Sequence, residues 1–255
     1  MSDALSFIPV LRLPEVQPGD DLADLFHDSQ SETGLCLQDG DVLVVAQKIV
    51  SKAENRYVEL ASVTPRPEAL ALAQRCLKDP RLVELVLRES TEVVRVAPNV
   101  LIVRHRLGFV VANAAIDQSN LPAGPERALL LPVDPDASAR ALQLRLQQRY
   151  GIRLAVLISD SFGRPWRMGV TGVCVGCAGL QALVDLRGMH DRSGRLLQVT
   201  QIAVADQICA TATLVTGEAA EGRPMVIVRG VPSEYFRDSV GATSLVRPLE
   251  QDLFR

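Results

Sequence analysis

The sequence predicts an α+β fold. Well-capped helices alternate irregularly with apolar strand-like runs, and two of those runs, "VLIVRH" and "GFVVANAAID", face each other across the short "RLG" as an antiparallel pair. A doubly wound parallel sheet would show a regular strand–helix rhythm, which this chain lacks. Its 255 residues, 47% of them hydrophobic, suffice for one large unit over 1–255 or two interleaved subdomains, with a core that needs no disulfide or metal staple.

The first strand signal is "DVLVVAQKIV", an apolar run whose exit carries Gln47, Lys48 and, after Ser51, Lys52. Pro67 opens a helix over "PEALALAQRCL", and in "DPRLVELVLRES" Asp79 caps another with Pro80 at its first position. The hairpin follows, its second strand running into "IDQSN". "PDASARALQLRLQQRYG" then spells an amphipathic helix from Asp136 to a terminating Gly151. The strand "RLAVLIS" delivers a polar loop, "ISDSFGRPWRMG". Beyond it, "MGVTGVCVGCAG" is apolar and glycine-rich, and "DLRGMHDRSGRLL" is a polar loop. "TQIAVADQICATATLVTGE" is a helix ending at Gly217 and Glu218, and "PMVIVRG" is a last core strand. The tail from Glu234 to Arg255 is charged at both ends and matches no element pattern.

Composition narrows the function. A net charge of −3 argues against nucleic-acid binding through a broad basic face, so any basic site is local. The start "MSDALSFIPVLRLPEV" lacks the basic residues and continuous apolar core of a signal peptide. The longest weakly polar run, "GVTGVCVGCAGLQALV", is short for a membrane span, so no membrane partner and a cytoplasmic location are expected. The five cysteines, Cys36, Cys76, Cys174, Cys177 and Cys209, are expected as reduced thiols. Cys174 and Cys177 read as small side chains of an apolar strand, because His27, His105 and His190 are too scattered to complete a zinc site.

Three acids stand where apolar elements break into short polar loops: Asp117 in "AAIDQSN", Asp160 in "LISDSFGR" and Glu218 in "VTGEAAEGRP". Taken singly, each serves equally well as a cap or turn former. Together, with Ser161 and Asn120 beside them, they supply hard oxygen ligands suited to magnesium or manganese. Lys48, Lys52, Arg164, Arg167 and Arg195 lie in or beside loops and match phosphate oxygens, although any one alone is an ordinary surface charge. Neither a P-loop nor a dinucleotide fingerprint occurs, but the small residues of "TGEAAEG" let a phosphate or base approach the backbone. Hydrolysis by Ser161 fits poorly, since "SDSFG" is no nucleophile elbow and lacks a recognisable histidine partner. A non-catalytic module holding a phosphorylated ligand is the alternative from another class.

"DVLVVAQKIVSKAENR", "NAAIDQSN", "ISDSFGRPWRMGVTG", "DLRGMHDRSGRLLQVT" and "VADQICATATLVTGEAAEGRP" together resemble the coenzyme F420-0:L-glutamate ligase family, the γ-glutamyl ligases of deazaflavin cofactor synthesis. The likeness runs from about Phe7 to Val231. It implies a family-specific α+β fold with mixed and antiparallel sheets, flanking helices and an intertwined homodimer. GTP would be the co-substrate, with Mg2+ or Mn2+ bound and K+ a candidate further ion. The metal ligands would be Asp117, Asp160, Ser161 and Glu218. The nucleotide would meet Leu13, Pro14, Glu15 and Val16, then Gln47, Lys48, Lys52 and Asn120. It would also meet the loop of Thr216, Gly217, Glu218, Ala219, Ala220, Glu221, Gly222 and Arg223. Asp160, Arg164 and Arg167 would act on the reacting groups, the arginines facing phosphate or the anionic acceptor. The implied reaction joins the α-amine of L-glutamate to the phospholactate carboxylate of coenzyme F420-0 through an acyl phosphate, with further γ-linked glutamates in prospect. A folate or other pterin is the alternative acceptor. Where the family usually has a Ser-Thr pair this chain has Gln47-Lys48, Ser161 replaces a threonine, and "NAAID" replaces "NAGID".

Overall fold

The structure is a computed structural model and describes residues 4–119, 126–237 and 240–252. β1 (Ser6–Pro9) leads to α1 (Leu22–Thr33), which starts where the Asp21 carboxylate accepts the Ala23 amide at 2.8 Å and ends at Gly34. β2 (Asp41–Ala46) runs straight into α2 (Gln47–Ala53). The strand expected over "DVLVVAQKIV" therefore ends at Ala46, where its pairing stops. Gln47 then bonds Ser51 one turn on, while Ile49 and Val50 pack into the core as a helical face.

β3 (Tyr57–Glu59) precedes α3 (Pro67–Cys76) and α4 (Pro80–Arg88), both opened by proline as expected, with Asp79 capping the second through the Arg81 amide. β4 (Ser90–Ala97), β5 (Val100–His105) and β6 (Val110–Ala112) form an antiparallel meander that contains the expected hairpin. β6 stops before "NAAID" because Asn113, Ala114 and Ala115 take left-handed φ values of 53°, 53° and 55° and turn the chain out of the sheet. β7 (Arg127–Leu129) pairs with β3. α5 (Pro135–Tyr150) is capped by Asp134, so it begins one residue before Asp136 and ends, as expected, at Gly151.

β8 (Leu154–Arg164) and β9 (Arg167–Ala178) make one long hairpin turning at Pro165 and Trp166. "ISDSFGRPWRMG" is thus no loop: cross-strand pairing continues to Arg164↔Arg167, so Asp160 and Ser161 lie in a strand and point to opposite faces. β10 (Val184–Asp185) and β11 (Gln201–Ile202) bracket the polar loop, α6 (Val204–Thr216) ends at Gly217, and β12 (Met225–Arg229) is the last strand.

The main sheet has the order β1-β12-β2-β8-β9 and is antiparallel except for β2 and β8, which run parallel. Leu43, Val45, Val156 and Ile158 pack on α1, α2 and α5, whereas Val42, Val44, Ala155 and Leu157 pack on α6. The molecule is α+β, as expected, with helices on both faces of a mixed sheet. A further core joins Leu101 and Val103 of the meander to α3 and α4, and Phe109 meets Phe162 at a ring distance of 5.1 Å, tying meander to hairpin. The tail forms short 3-10 turns. Asp136 holds it, accepting the Cys177 and Ala242 amides at 2.8 Å each. Among the described residues no helix is long and apolar enough to cross a membrane.

Cys174 and Cys177 of β9 and Cys209 of α6 are buried free thiols in one core, and contact with Cys177 and Cys209, together with burial, pushes the Cys174 thiol well above its ordinary pKa. The glycines of the same strand have a packing reason. A Cβ on Gly172 would stand 2.5 Å from the Cys209 carbonyl oxygen and 2.7 Å from Thr213 Cγ2, so only glycine lets α6 lie this close to β9. Gly172→Ala is expected to lower stability by about 1–3 kcal/mol in chemical denaturation, because the obstacle is backbone. Ala115→Gly should raise stability by about 1 kcal/mol in the same assay, since it removes the Cβ penalty of a left-handed residue. A destabilised Ala115→Gly variant would contradict that account.

Candidate active site

β2 ends at Ala46 while its parallel neighbour β8 continues to Arg164, and the space beyond the end of β2 is a cleft of about 1110 Å3. A crevice at the carboxyl ends of parallel strands is where open mixed sheets commonly receive ligands. Lys48, in the first turn of α2, brings its Nζ to 2.6 Å from Asp117 Oδ2 and 3.0 Å from Ser119 Oγ. Asp117 follows the left-handed turn, and its backbone is fixed by two hydrogen bonds with Leu129 at 3.0 and 2.8 Å. The Ser119 amide and hydroxyl both donate to Asp117 Oδ1, at 2.6 and 2.8 Å.

From β8, Ser161 donates its hydroxyl to Glu218 Oε1 at 2.8 Å. Glu218 reaches it because α6 lies close on Gly172, the cross-strand partner of Ser161. Gly217, with φ of 74°, starts the following loop, and a Cβ there would strike the Glu221 carboxylate, which accepts the Ala219 amide at 2.9 Å. Burial pushes the Asp160 carboxyl up to about 7; the charges of Asp117 and Glu218 add to the rise, while the Ser161 amide and Lys48 oppose it. Burial also raises Asp117, but the Lys48 ammonium and the Ser119 donors more than offset it and leave that carboxyl below the ordinary carboxylate range. At neutral pH Asp117 is therefore firmly ionised beside Asp160, which is poised to give or take a proton.

Most residues expected at the site line this cleft. Asp117, Asp160, Ser161 and Glu218 do so together, with Lys48, Gln47 and Glu15 at one end and the exposed Arg164 and Arg167 on the hairpin arm. Thr216, Gly217, Ala219, Glu221, Gly222 and Arg223 complete it. Lys52 is buried behind the wall, paired with Glu15, and Gln47 is buried against Ser51. Leu13 and Val16 turn into the core; Pro14 and Ala220 are exposed outside the cleft lining. Arg195 lies on the polar loop, its amide bonded to Asp191, away from the cleft. Asn120 lies outside the described residues.

Among the described residues no three His, Cys, Asp or Glu side chains stand close enough to grip a metal ion, and the positive charge beside Asp117 is the Lys48 ammonium. Sequence reasoning passed over Ser119, although an Asp followed two residues later by Ser is the pattern of an Asx turn. It also missed an apolar wall of Ile102, Val110 and Ala112.

Residues 10–230 match the family model described as F420-0:Gamma-glutamyl ligase. The chain is 47% identical to the Coenzyme F420:L-glutamate ligase of Methanothermobacter thermautotrophicus, over 98% of this chain and 99% of that one. It is 43% identical to the enzyme so named in Methanopyrus kandleri, over 97% of this chain and 99% of the other. With its namesake in Natronomonas pharaonis it shares 45% identity, over 95% and 92%. The matched span contains every cleft-lining residue, from Glu15 to Pro224, and on this agreement of sequence and site the chain belongs to the F420-0:gamma-glutamyl ligase family.

Proposed function

We propose that the protein is a GTP-dependent ligase that joins the α-amine of L-glutamate to the phospholactate carboxylate of coenzyme F420-0, and can extend the product with further γ-linked glutamates. The observation that carries this reading is the convergence of Lys48–Asp117, Asp160 and Ser161–Glu218 in one large cleft, in a chain of this family. The relatives' name, Coenzyme F420:L-glutamate ligase, supports the acceptor and the amino acid.

A carboxylate is a poor acyl donor, so amide formation needs activation. Transfer of the γ-phosphoryl group of GTP to an acceptor carboxylate oxygen gives GDP and an acyl phosphate. The glutamate amine then forms the C–N bond as the C–O bond to phosphate breaks, and inorganic phosphate and a proton leave. Lys48 places a cation where negative charge gathers, and Arg164 and Arg167 present forked donors toward an anionic substrate from the hairpin arm. The small loop from Thr216 to Arg223 gives phosphate groups access to backbone.

The donor set suits Mg2+ or Mn2+. Asp117, Asp160, Glu218 and the Ser161 hydroxyl are all hard oxygen ligands; a cation would have to draw these acids closer together and displace the proton of Asp160, whose carboxyl is pushed up to about 7. Such an ion, when bound, supplies charge neutralisation on the phosphate oxygens and aligns donor with acceptor. Assembly as an intertwined homodimer, which the family resemblance implies, belongs to the same proposal.

Purified protein with GTP, L-glutamate, Mg2+ or Mn2+ and F420-0 should release GDP and form a glutamylated product detected by mass spectrometry. Folded protein that yields neither, or that glutamylates a pterin at least ~10-fold more efficiently in kcat/KM, contradicts the acceptor assignment. Asp160→Asn should lower turnover at least ~100-fold, about 2.7 kcal/mol of transition-state stabilisation. The same variant should be more heat-stable than the wild type at pH 8 in metal-free buffer. Between the ordinary carboxyl pKa and about 7, native Asp160 keeps a proton that the unfolded chain has lost, so wild-type stability falls as pH rises through that window. Asparagine has no proton to lose, so the two melting curves should converge near pH 4 and diverge above it.

A further inference from the structure

The meander has two unlike faces. Leu101 and Val103 point into the core with α3 and α4, whereas Ile102 and Ala112, paired directly across β5 and β6, share the opposite face with Val110. That face lines the cleft, continuous with Ala115, Ile116 and Asp117. Val110 is 42% exposed and Ala112 is also exposed, so apolar surface is left open to water inside a cleft whose floor is charged. Ligand sites combine apolar walls with a few placed polar groups in this way.

Size adds a second argument. Pockets for one ligand typically measure ~300–1,000 Å3. The cleft, at about 1110 Å3, exceeds that range, which fits two substrates side by side. Lys48 and Arg223 suit phosphates and carboxylates, and leave the apolar wall for whatever part of a substrate is neither. Where it lines the cleft, the wall is Ile102, Val110 and Ala112. Arg104, the cross-strand partner of Val110, lies outside the lining with its guanidinium donating to the Gly108 carbonyl at 3.0 Å, which leaves a low apolar surface that complements the face of a flat heterocycle. Each pair of residues along β6 carries it about 6.6 Å farther from Asp117, so the ring of a ligand reacting at the floor needs a linker of comparable length.

We propose that Ile102, Val110 and Ala112 form the platform on which the planar ring of the acceptor lies while its carboxylate reaches the floor at Asp160. This assignment rests on the ligase reading above and adds the part of the cleft that selects the acceptor. The guanine base and a second copy of the chain are the other occupants the wall could receive, and the test separates them.

Val110→Glu and Ala112→Glu place a carboxylate on the platform at exposed positions, where folding is little affected. F420-0 binding is read from the fluorescence of its ring without GTP or glutamate, and KM for each substrate is measured at saturation of the others. Each variant should bind F420-0 at least ~10-fold more weakly and show a matching rise in its KM, about 1.4 kcal/mol, with KM for GTP and glutamate within about twofold of wild type. If the wild type makes product and both variants keep its affinity for F420-0, the platform is wrong and the ligase reading stands. A loss of GTP affinity in place of F420-0 affinity assigns the wall to the nucleotide. A change in assembly mass by light scattering assigns it to a second copy. A wild type that neither binds nor glutamylates F420-0 overturns the ligase reading and the platform with it.

Discussion

The unequal length of two parallel strands organises this molecule. β2 and β8 pair in register from Asp41↔Leu154 to Ala46↔Ser159, and then only β8 continues. From Asp160 onward the edge of β8 that faced β2 has no neighbouring strand, and the chain leaving β2 turns at once into a helix. Everything chemical in the cleft is arranged around that step. Lys48 enters from the first turn of the helix, Asp117 from the far side of the meander, and Glu218 from the end of α6. Had β2 run on beside β8, its backbone would fill the space that the cleft now occupies.

Electrostatics in that space follow from the same geometry. Asp117 and Asp160 come from unrelated elements, and one lysine serves both unequally. Its ammonium is bonded to Asp117 and acts on Asp160 only through space, so one carboxyl is held low while burial dominates the other. Burying a carboxylate without a full partner is unfavourable in a resting protein. Such an arrangement makes sense at a place where a cation or a proton is exchanged.

Elements bounded by their own chemistry were readable from sequence. Asp79 with Pro80, and Pro67, start helices and Gly151 ends one, through local bonds or local φ preferences, and those boundaries agree with the structure. Features set by pairing partners were not. The apolar "DVLVVAQKIV" has no internal mark at Ala46, because strand gives way to helix where β8 ceases to offer a partner. "SDSFGRPWRMG" has the composition of a loop and becomes strand because β9 returns beside it. The site shows the same division. Asp117, Asp160 and Glu218 were visible as acids at element ends, whereas the apolar platform depends on which face of β5 and β6 looks outward. That follows from the placement of α3 and α4 beneath the meander. Lys52 looked like a phosphate ligand, yet it is used up behind the wall with Glu15, a partner 37 positions away.

The order of the main sheet also bears on how the chain is made. β1 pairs with β12, Ser6 opposite Arg229, and β12 lies between β1 and β2. β1 therefore has no neighbour until β12, far along the chain, has been made. Contacts of such long sequence separation are slow to form, because loop closure must precede the stabilisation they bring. During synthesis β2 would have one hydrogen-bonding edge unpaired until β12 emerges. The hairpin of β8 and β9, by contrast, closes locally. Ribosome-bound fragments ending before Met225 would then contain every residue of the cleft lining but lack the strand that pairs with β2 and β1.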